Sequence, residues 1–274
     1  MDTVLTQDYD RIELLVIDGN SSDDTVERVR SRMRKDKRIR LLSGPDSGPA
    51  EAINRGFTLA RGTVFAWLNS DDLYSPATIT QVMKVFQNDV KCLMVYGRGQ
   101  HVDETGRDLG DYPTRTADTG IEAFAEGCFI CQPTVFFRRS MWVLLGDLDE
   151  LLQTAFDFDY WLRAFRSFPG RIRYIDSLLA QSRLHEKCIT VRMRQVVILE
   201  GMRVLARHLG AAPKEWLLTY FHELCDNPSI SGEVDDLRLH VKETLEVARP
   251  WMGANDYHYL CAHLDEIIEC LSER

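Results

Sequence analysis

The sequence predicts an α/β fold, with a sheet covered by helices on both faces and an all-helical region at the C-terminal end. In the first two thirds of the chain, short β-rich runs alternate with helical patterns, which is typical of such sheets. From about Val191 onward, apolar residues recur at helical spacing and no strand pattern intervenes. We therefore expect a sheet domain over residues 1–190 and a helical region over residues 191–274.

The first strand is predicted at Ile12–Ile17, an apolar run with β-branched residues at its end. It stops at Asp18-Gly19-Asn20, a turn pattern. Ser21 is predicted to be the N-cap of the following helix, because Asp24 three positions later completes a capping-box pattern.

A second short strand is predicted at Ile39–Leu42, followed by a helix from about Ala50 to Ala60. Val64–Leu68 is predicted to be a third buried strand. This strand would place the polar segment Asn69–Asp72 at its carboxyl end. Pro76 then marks a first helical turn, since proline is favoured there.

Further strands are expected at Cys92–Tyr96 and Cys128–Phe137, and a final one begins at Ile172–Ile175. The polar stretch Asp103–Thr119 predicts a surface loop, and Phe158–Phe168 predicts a compact aromatic helix.

Composition excludes several classes of protein. The chain has 274 residues and a formal net charge of −9, whereas nucleic-acid-binding surfaces are basic, so we expect no nucleic-acid partner. Nucleotides stay compatible with this charge, because a divalent metal neutralises a diphosphate. No apolar run reaches the length of a membrane span. The 7 cysteines form no disulfide framework pattern, and Cys128 and Cys131 are expected to be buried thiols, which favours a cytoplasmic location.

Acidic residues follow two of the predicted strands, at Asp18 and at Asn69–Asp72. Ligands of open α/β sheets bind beyond the carboxyl ends of the strands. Neighbouring carboxylates repel each other unless a cation is bound, and oxygen ligands of this kind suit Mg²⁺ or Mn²⁺. A solvated acidic turn is the alternative that these residues leave open.

Five collinear segments of the sequence resemble the inverting family-2 glycosyltransferases of the GT-A fold, the nucleotide-diphospho-sugar transferase fold with a Rossmann-like mixed sheet. They cover roughly residues 5–190 and read, in order, "IELLVIDGNSSDDTVERV", "SGPDSGPAEAINRGFTLARGTVFAWLNSDDLYSP", "QPTVFFRRSMW", "FDFDYWLRAF" and "RLHEKCIT". The resemblance is greatest to members with "LNSDD" or "LNADD", many of which assemble bacterial surface polysaccharides.

The resemblance implies a metal site that holds Mn²⁺ or Mg²⁺. Asn69, Ser70 and Asp71 occupy the family's Asp-x-Asp motif, with Asn in place of the first acid, and Asp71 matches the direct metal ligand. Asp72 would orient Asp71 without itself binding the metal. His185 matches a histidine that approaches the metal or diphosphate in some relatives, and a purely structural histidine is the alternative.

The resemblance also implies contacts with the nucleotide sugar. Asp18 matches the carboxylate that accepts a hydrogen bond from uracil, although Gly19 replaces a second acid common in relatives. Asn54 lies in the segment beside the nucleotide, where a structural role is equally open. Gln132 lies in a segment that lines the acceptor side, and Asn69, Ser70 and Asp72 complete the expected binding set.

Asp157 matches the family's general base. Inverting transfer needs an acceptor hydroxyl that loses its proton as it attacks, so a carboxylate on that face is required. Phe156 precedes it where relatives often have Glu, and an apolar neighbour raises a carboxyl pKa. The alternative role, as N-cap of the Phe158–Phe168 helix, is compatible with the first.

The implied function is metal-dependent inverting transfer of a sugar, with a UDP-sugar as the expected donor and a saccharide or lipid-linked molecule as acceptor. We expect a cytoplasmic protein or one at the inner face of a membrane, where the basic helix near 192–209 would face anionic lipid. A solvated helix face is the alternative for these basic residues. A catalytically weakened relative that acts as an assembly subunit is the rival hypothesis. A dinucleotide-binding oxidoreductase is disfavoured, because no G-x-G-x-x-G follows the first strand.

Relatives begin with a strand and a helix that precede the segment matched here. The expected position of that strand is central, between the strands at Ile12–Ile17 and Val64–Leu68. Three explanations stay open: a start upstream of Met1, a strand supplied by this chain or a partner, including a homo-oligomer, or a relative that has lost activity.

Overall fold

The computed structural model describes residues 1–226 and 234–272. The chain divides into two compact units. The first consists of Met1–Gly120 and Phe129–Cys188, and the second of Ile121–Cys128 and Ile189–Arg274. The boundary predicted after residue 190 lies near the division after Cys188, whereas the sequence does not predict that segment 121–128 belongs to the helical unit.

The strands all lie in the first unit. In chain order they are β1 (Leu14–Asp18), β2 (Ile39–Ser43), β3 (Val64–Phe65), β4 (Leu73–Tyr74), β5 (Met94–Val102), β6 (Asp108–Asp111), β7 (Phe136–Arg138) and β8 (Ile172–Arg183). They form two sheets in the described residues. β1 and β2 pair in parallel, and the other six follow the order β3-β7-β5-β8-β4, with β6 paired to β5.

The helices of the first unit cover these sheets. They are α1 (Asp2–Leu5), α2 (Thr25–Lys35), α3 (Pro49–Leu59), α4 (Thr78–Asn88), α5 (Arg139–Leu145) and α6 (Phe156–Ser167). One core lies under α4 and contains buried Tyr74, Ile79, Val82, Phe136 and Leu179. Leu14 of β1 and Val64 of β3 pack against this same core, so it holds both sheets on one face.

Helix α3 covers both sheets on another side. A Cβ atom added at Gly56 would lie 3.3 Å from Cγ1 of Ile17, so the helix touches β1 closely. The neighbouring Phe57 stacks on Phe65 of β3 with ring centroids 5.3 Å apart. The two strands therefore share one helix, although they share no ladder of backbone hydrogen bonds in the described part of the chain.

The edge of β1 away from β2 is open. The backbone N–H of Leu14 donates to Arg38, and strand residues point their backbone groups alternately to opposite edges, so Leu15 and Ile17 face the other way. In the described residues β1 pairs with β2 and β3 with β7. Leu14–Ile17 is only half-buried, in contrast to the fully buried strand predicted from its sequence.

Three predicted strands are wrong in extent. The strand predicted at Cys92–Tyr96 runs from Met94 to Val102. Cys128–Phe137 is a strand only at Phe136–Arg138, and a 3-10 turn occupies Gln132–Thr134. Pro133 explains the difference, because it lacks the N–H that a ladder needs. Val64–Leu68 is paired only over Val64–Phe65.

Three predicted helix starts are wrong. The helix after β1 begins at Thr25 rather than near Ser21, whose hydroxyl instead donates to Asp18. α4 begins at Thr78, since Ala77 before it is left-handed with φ 60°. α6 begins at Phe156 with Ala155 as N-cap, so Asp157 lies inside the first turn and is not the N-cap.

The predicted surface loop Asp103–Thr119 contains β6, which forms a hairpin with β5. Its first turn is held by the Asp103 carboxylate, which accepts from the backbone N–H groups of Thr105 and Arg107.

The second unit is helical. Its helices are α7 (Ile189–Arg192), α8 (Arg194–Leu209), α9 (Glu215–Asp226), α10 (Val234–Ala248), α11 (Ala254–Ala262) and α12 (Leu264–Ser272). Leu205, Leu245 and Leu260, which the apolar periodicity places on helix faces, are buried there. Over residues 1–226 and 234–272, none of the helices combines the length and the apolar character that crossing a membrane requires.

Candidate active site

Asp71 and His185 form the centre of the candidate site. Asp71 follows β3 in a turn, and His185 lies two residues beyond β8. Nε2 of His185 is 2.9 Å from Oδ2 of Asp71, and the side chains keep 18% and 31% of their exposure, respectively. A carboxylate and an imidazole that converge with part of their surface open can contact a ligand together.

Asp72 lies buried behind this pair. Its Oδ1 accepts from the backbone N–H of Arg183, and its Oδ2 accepts from Nδ2 of Asn69. Burial, followed by the nearby charge of Asp71, raises the pKa of Asp72 to about 6. Asp72 therefore shapes the turn that carries Asp71 and does not face solvent.

Asn69 and Gln132 extend the cluster. Nδ2 of Asn69 also donates to Oε1 of Gln132 at 3.3 Å, and Nε2 of Gln132 donates to the carbonyl of Trp67 at 2.9 Å. Ser70 is exposed beside them. Asn69, Asp72 and Gln132 are thus joined by hydrogen bonds, and they lie beside the hydrogen-bonded pair of Asp71 and His185. All five were named from the sequence, and their contact with a metal or a nucleotide sugar stays a prediction.

Arg183 is a residue of this site that sequence reasoning missed. Its Nε donates to the carbonyl of Asp71 at 3.1 Å, and Nη1 donates to the carbonyls of Asp103 at 2.8 Å and Glu104 at 2.6 Å. Its signal in the sequence is a basic residue two positions before His185, within the segment "RLHEKCIT" that the family resemblance covers.

Asp18 lies at the carboxyl end of β1 with 5% of its surface exposed. Its carboxylate accepts from the hydroxyl of Ser21, and its Oδ2 accepts from the hydroxyl of Ser43 at 2.6 Å. These hydroxyl donors lower the pKa of Asp18 below its ordinary value, so the group is a carboxylate near neutral pH. Ser43 was missed in the sequence, although the parallel register places it directly beside Asp18.

Asn54 has a structural role in this fold. Its Nδ2 donates to the carbonyl of Leu148 and to Glu150, and its Oδ1 accepts from the backbone N–H of Leu148. These bonds use both amide hydrogens and hold the segment after α5 on α3. The nucleotide contact expected from the family resemblance stays a prediction that these bonds disfavour.

Asp157 lies in the first turn of α6, apart from the cluster of Asp71. Burial raises the pKa of its carboxyl group to about 6, while a hydrogen bond from the backbone N–H of Phe158 opposes that change. A carboxyl group with this pKa exchanges protons near neutral pH. Asp159, two residues on, instead pairs with Arg163 at 2.8 Å.

The donor set around Asp71 fits a hard divalent cation. Among the side chains that the structure describes, those of residues 1–224 and 236–268, no group of three histidine, cysteine or acidic residues converges on one point. Mg²⁺-type ions nevertheless bind through one or two protein ligands when phosphates and water complete their shell. Asp71 and His185 supply two such ligands, so the residues present are compatible with a metal shared with a diphosphate.

A family model and individual proteins both show similarity between this chain and glycosyltransferases. The model of the family described as "Glycosyl transferase family 2" matches residues 1–145. An uncharacterized glycosyltransferase of Rickettsia conorii is 26% identical over 245 residues, which cover 85% of this chain and 37% of that protein. A chondroitin synthase of Escherichia coli is 23% identical over 195 residues, covering 70% of this chain and 27% of that protein. The chain thus spans well under half the length of these relatives.

Solved structures show the same fold. TarS 1-349 of S. aureus in complex with UDP has a TM-score of 0.62 and 14% identity, covering 99% of this chain and 85% of that one. The mannosyltransferase PcManGT of Pyrobaculum calidifontis, in complex with GDP-Man and Mn²⁺, has a TM-score of 0.57 and 16% identity, covering 97% of this chain and 74% of that one. The GT-A fold expected from the sequence is confirmed.

Proposed function

Because this chain belongs to glycosyl transferase family 2, we propose that it moves a sugar from a nucleoside diphosphate donor to an acceptor hydroxyl with inversion at the sugar carbon. The observation that carries the proposal is the convergence of Asp71 and His185 at 2.9 Å, beside buried Asp72. The similarity to proteins named chondroitin synthase supports a saccharide or lipid-linked acceptor in bacterial surface polysaccharide synthesis.

Asp71 and His185 would hold Mn²⁺ or Mg²⁺ together with the donor diphosphate. When bound, such an ion stabilises the negative charge of the leaving nucleoside diphosphate. Asn69 and Gln132 would contribute by keeping the turn of Asp71 in place through their hydrogen bonds. A Mn²⁺ complex of a structural neighbour supports this choice of ion.

Asp18 would read the base of the donor. Its lowered pKa keeps it a hydrogen-bond acceptor near neutral pH, which suits the N–H of uracil. The neighbours named above are complexes with UDP or GDP-Man, and UDP is our proposal for this chain.

Asp157 would act as general base. In this step the acceptor oxygen attacks the sugar carbon, the bond from that carbon to the diphosphate oxygen breaks, and the hydroxyl proton passes to the Asp157 carboxylate. The raised pKa of about 6 brings the proton affinity of this carboxylate toward the working pH, as efficient general bases require.

Calorimetry with UDP and Mn²⁺ tests the donor site. We expect the wild-type protein to bind UDP in a Mn²⁺-dependent manner, and Asp71→Ala to lose that dependence. Asp8→Asn, which removes an exposed carboxylate outside the site, is the matched control. Absence of binding by the wild type, or equal binding by Asp71→Ala, would contradict the proposal.

A second function is favoured by one observation, the open edges of β1 and β3. Unpaired strand edges pair readily with other chains, so an assembly subunit that binds a partner or a second copy is the alternative. Gel filtration combined with a UDP-sugar hydrolysis assay separates the two. A monomer that releases UDP favours the enzyme, and an obligate oligomer without nucleotide binding favours the subunit.

A cytoplasmic or membrane-peripheral location is part of the enzyme proposal.

A further inference from the structure

Arg183 bonds to two separate loops at once. Towards the turn of Asp71, its backbone N–H donates to Oδ1 of Asp72 at 3.0 Å and its Nε donates to the carbonyl of Asp71 at 3.1 Å. Towards the hairpin turn after β5, its Nη1 donates to the carbonyls of Asp103 and Glu104.

Each of the two loops is well formed by itself. The hairpin turn is closed by the Asp103 carboxylate, which accepts from Thr105 and Arg107, and by a backbone bond from Asp103 to Arg107 at 2.9 Å. The Asp71 turn is closed by the bond from the Asp72 N–H to the Asn69 carbonyl at 3.2 Å. The guanidinium therefore joins two rigid pieces, so a shift of one is transmitted to the other.

The position of Arg183 on β8 adds a second link. Leu184 donates its N–H to the carbonyl of Val102 at 2.8 Å, which fixes the end of β8 against β5. His185, two residues beyond the end of β8, contacts the Asp71 carboxylate. Arg183 fixes the main chain of Asp71 while His185 meets its side chain, so together they define where that carboxylate points.

We propose that Arg183 is a positioning residue that holds Asp71 in its ligand-binding orientation and couples the Asp71 turn to the hairpin turn Asp103–Arg107. This inference rests on the proposed function, since it assumes that Asp71 contacts a metal–nucleotide complex. Arginine suits the task because its planar fork donates in several fixed directions, which a lysine ammonium on a flexible stem cannot reproduce.

Hydrogen exchange with and without UDP and Mn²⁺ measures the coupling directly. In the wild type, we expect the ligands to slow amide exchange in residues 103–107 by about tenfold, within the usual range of coupling between sites. In Arg183→Gln and Arg183→Lys we expect that protection to disappear and the Mn²⁺ affinity in the presence of UDP to fall about tenfold. Arg173→Lys is the matched control, because Arg173 lies on the same strand and pairs with Asp89 away from the site.

The outcomes distinguish failure of the proposed function from failure of the proposed role of Arg183. If wild-type protein gains no protection and binds neither ligand, the proposed function fails and this inference fails with it. If the wild type is protected and Arg183→Gln is protected equally, with unchanged Mn²⁺ affinity, the proposed function stands and the role of Arg183 is refuted. Loss of both effects in Arg183→Gln and Arg183→Lys, with Arg173→Lys unaffected and all variants folded by circular dichroism, supports the inference.

Discussion

Nε2 of His185 lies 2.9 Å from Oδ2 of Asp71, although 114 positions separate the two residues along the chain. The contact forms because the end of β8 and the turn after β3 meet at the same place. The two side chains orient each other through this contact, which preorganises the pair for binding, as precise sites require.

His185→Gln should raise the Mn²⁺ concentration that gives half-maximal UDP release by about tenfold, with a smaller change in the maximal rate. The imidazole is one of two protein groups that would face the metal, and loss of one ligand weakens binding more than chemistry. The measurement is UDP release against Mn²⁺ concentration. His222→Gln, a change at an exposed histidine of α9, should leave the curve in place. Identical curves for both variants would remove His185 from the metal site.

Asp18→Asn should weaken the binding of uridine and of UDP by the same factor, roughly tenfold to a hundredfold, because a hydrogen bond to a charged acceptor is worth about 1.5 to 3 kcal/mol. Calorimetry with the two ligands checks this. Asp23→Asn, which changes an exposed carboxylate in the same loop, serves as control. A loss confined to UDP would place Asp18 at the diphosphate instead of the base.

Asp157→Asn should reduce turnover at least a thousandfold while making the folded protein more stable at pH 8. Burial raises the folded-state pKa from 3.8 to about 6, so the folded state favours the protonated form. The stability that protonation contributes is therefore lost as pH rises through 6, and the wild type is destabilised by roughly 2 to 3 kcal/mol at pH 8. Urea denaturation should show this difference at pH 8 and its disappearance near pH 4.

The pH dependence of turnover should have an acid limb near pH 6. Below that pH Asp157 is protonated and cannot accept a proton, so kcat/KM falls about tenfold per pH unit. Asp72, whose pKa is also raised to about 6 by burial, is the competing cause. Asp72→Asn should retain the limb at reduced rate. Its loss in that variant would assign the limb to Asp72.

Asn54→Ala should cost about 2 to 3 kcal/mol of stability, since it leaves buried polar groups of the Leu148 backbone without partners. UDP affinity should not change, because both amide hydrogens of Asn54 are used within the fold. Chemical denaturation measures the free energy of unfolding of this variant, and calorimetry measures its affinity for UDP. A large loss of UDP affinity in a stable variant would restore the nucleotide contact.

The sequence was informative about where strands end and weaker about how they pair. The apolar run followed by Asp18 predicted the carboxyl end of β1 correctly, because burial and turn chemistry are local properties. The run before Asn69–Asp72 did not, since β3 ends at Phe65. The extent of β3 was wrong because pairing depends on a neighbouring strand. The run at Cys128–Phe137 was misread because its apolar residues are buried in a turn as well as in a strand.

The candidate site was predictable to the degree that its residues lie in recognisable segments. Asp71 and His185 meet as their shared resemblance implied. Arg183 was missed because it donates to the backbone carbonyls of Asp71, Asp103 and Glu104. Every residue has a backbone carbonyl, so these bonds have no sequence pattern. The second role of Asn54 was likewise invisible, since its partners lie 94 and 96 positions away.

Asp18 ends a strand of one sheet and Asp71 lies in a turn of the other, and this separation has a mechanical consequence. β1 and β2 share no ladder with β3 in the described part of the chain and are joined to it by side-chain packing, so we expect α2 and this strand pair to open locally before the rest of the unit. A nucleotide that contacts both carboxylates would hold the two sheets together where no backbone ladder joins them. Part of the binding free energy of the nucleotide would then stabilise the closed arrangement of the two sheets. We therefore expect the ligand to slow proteolysis of the segment from Leu14 to Ser43.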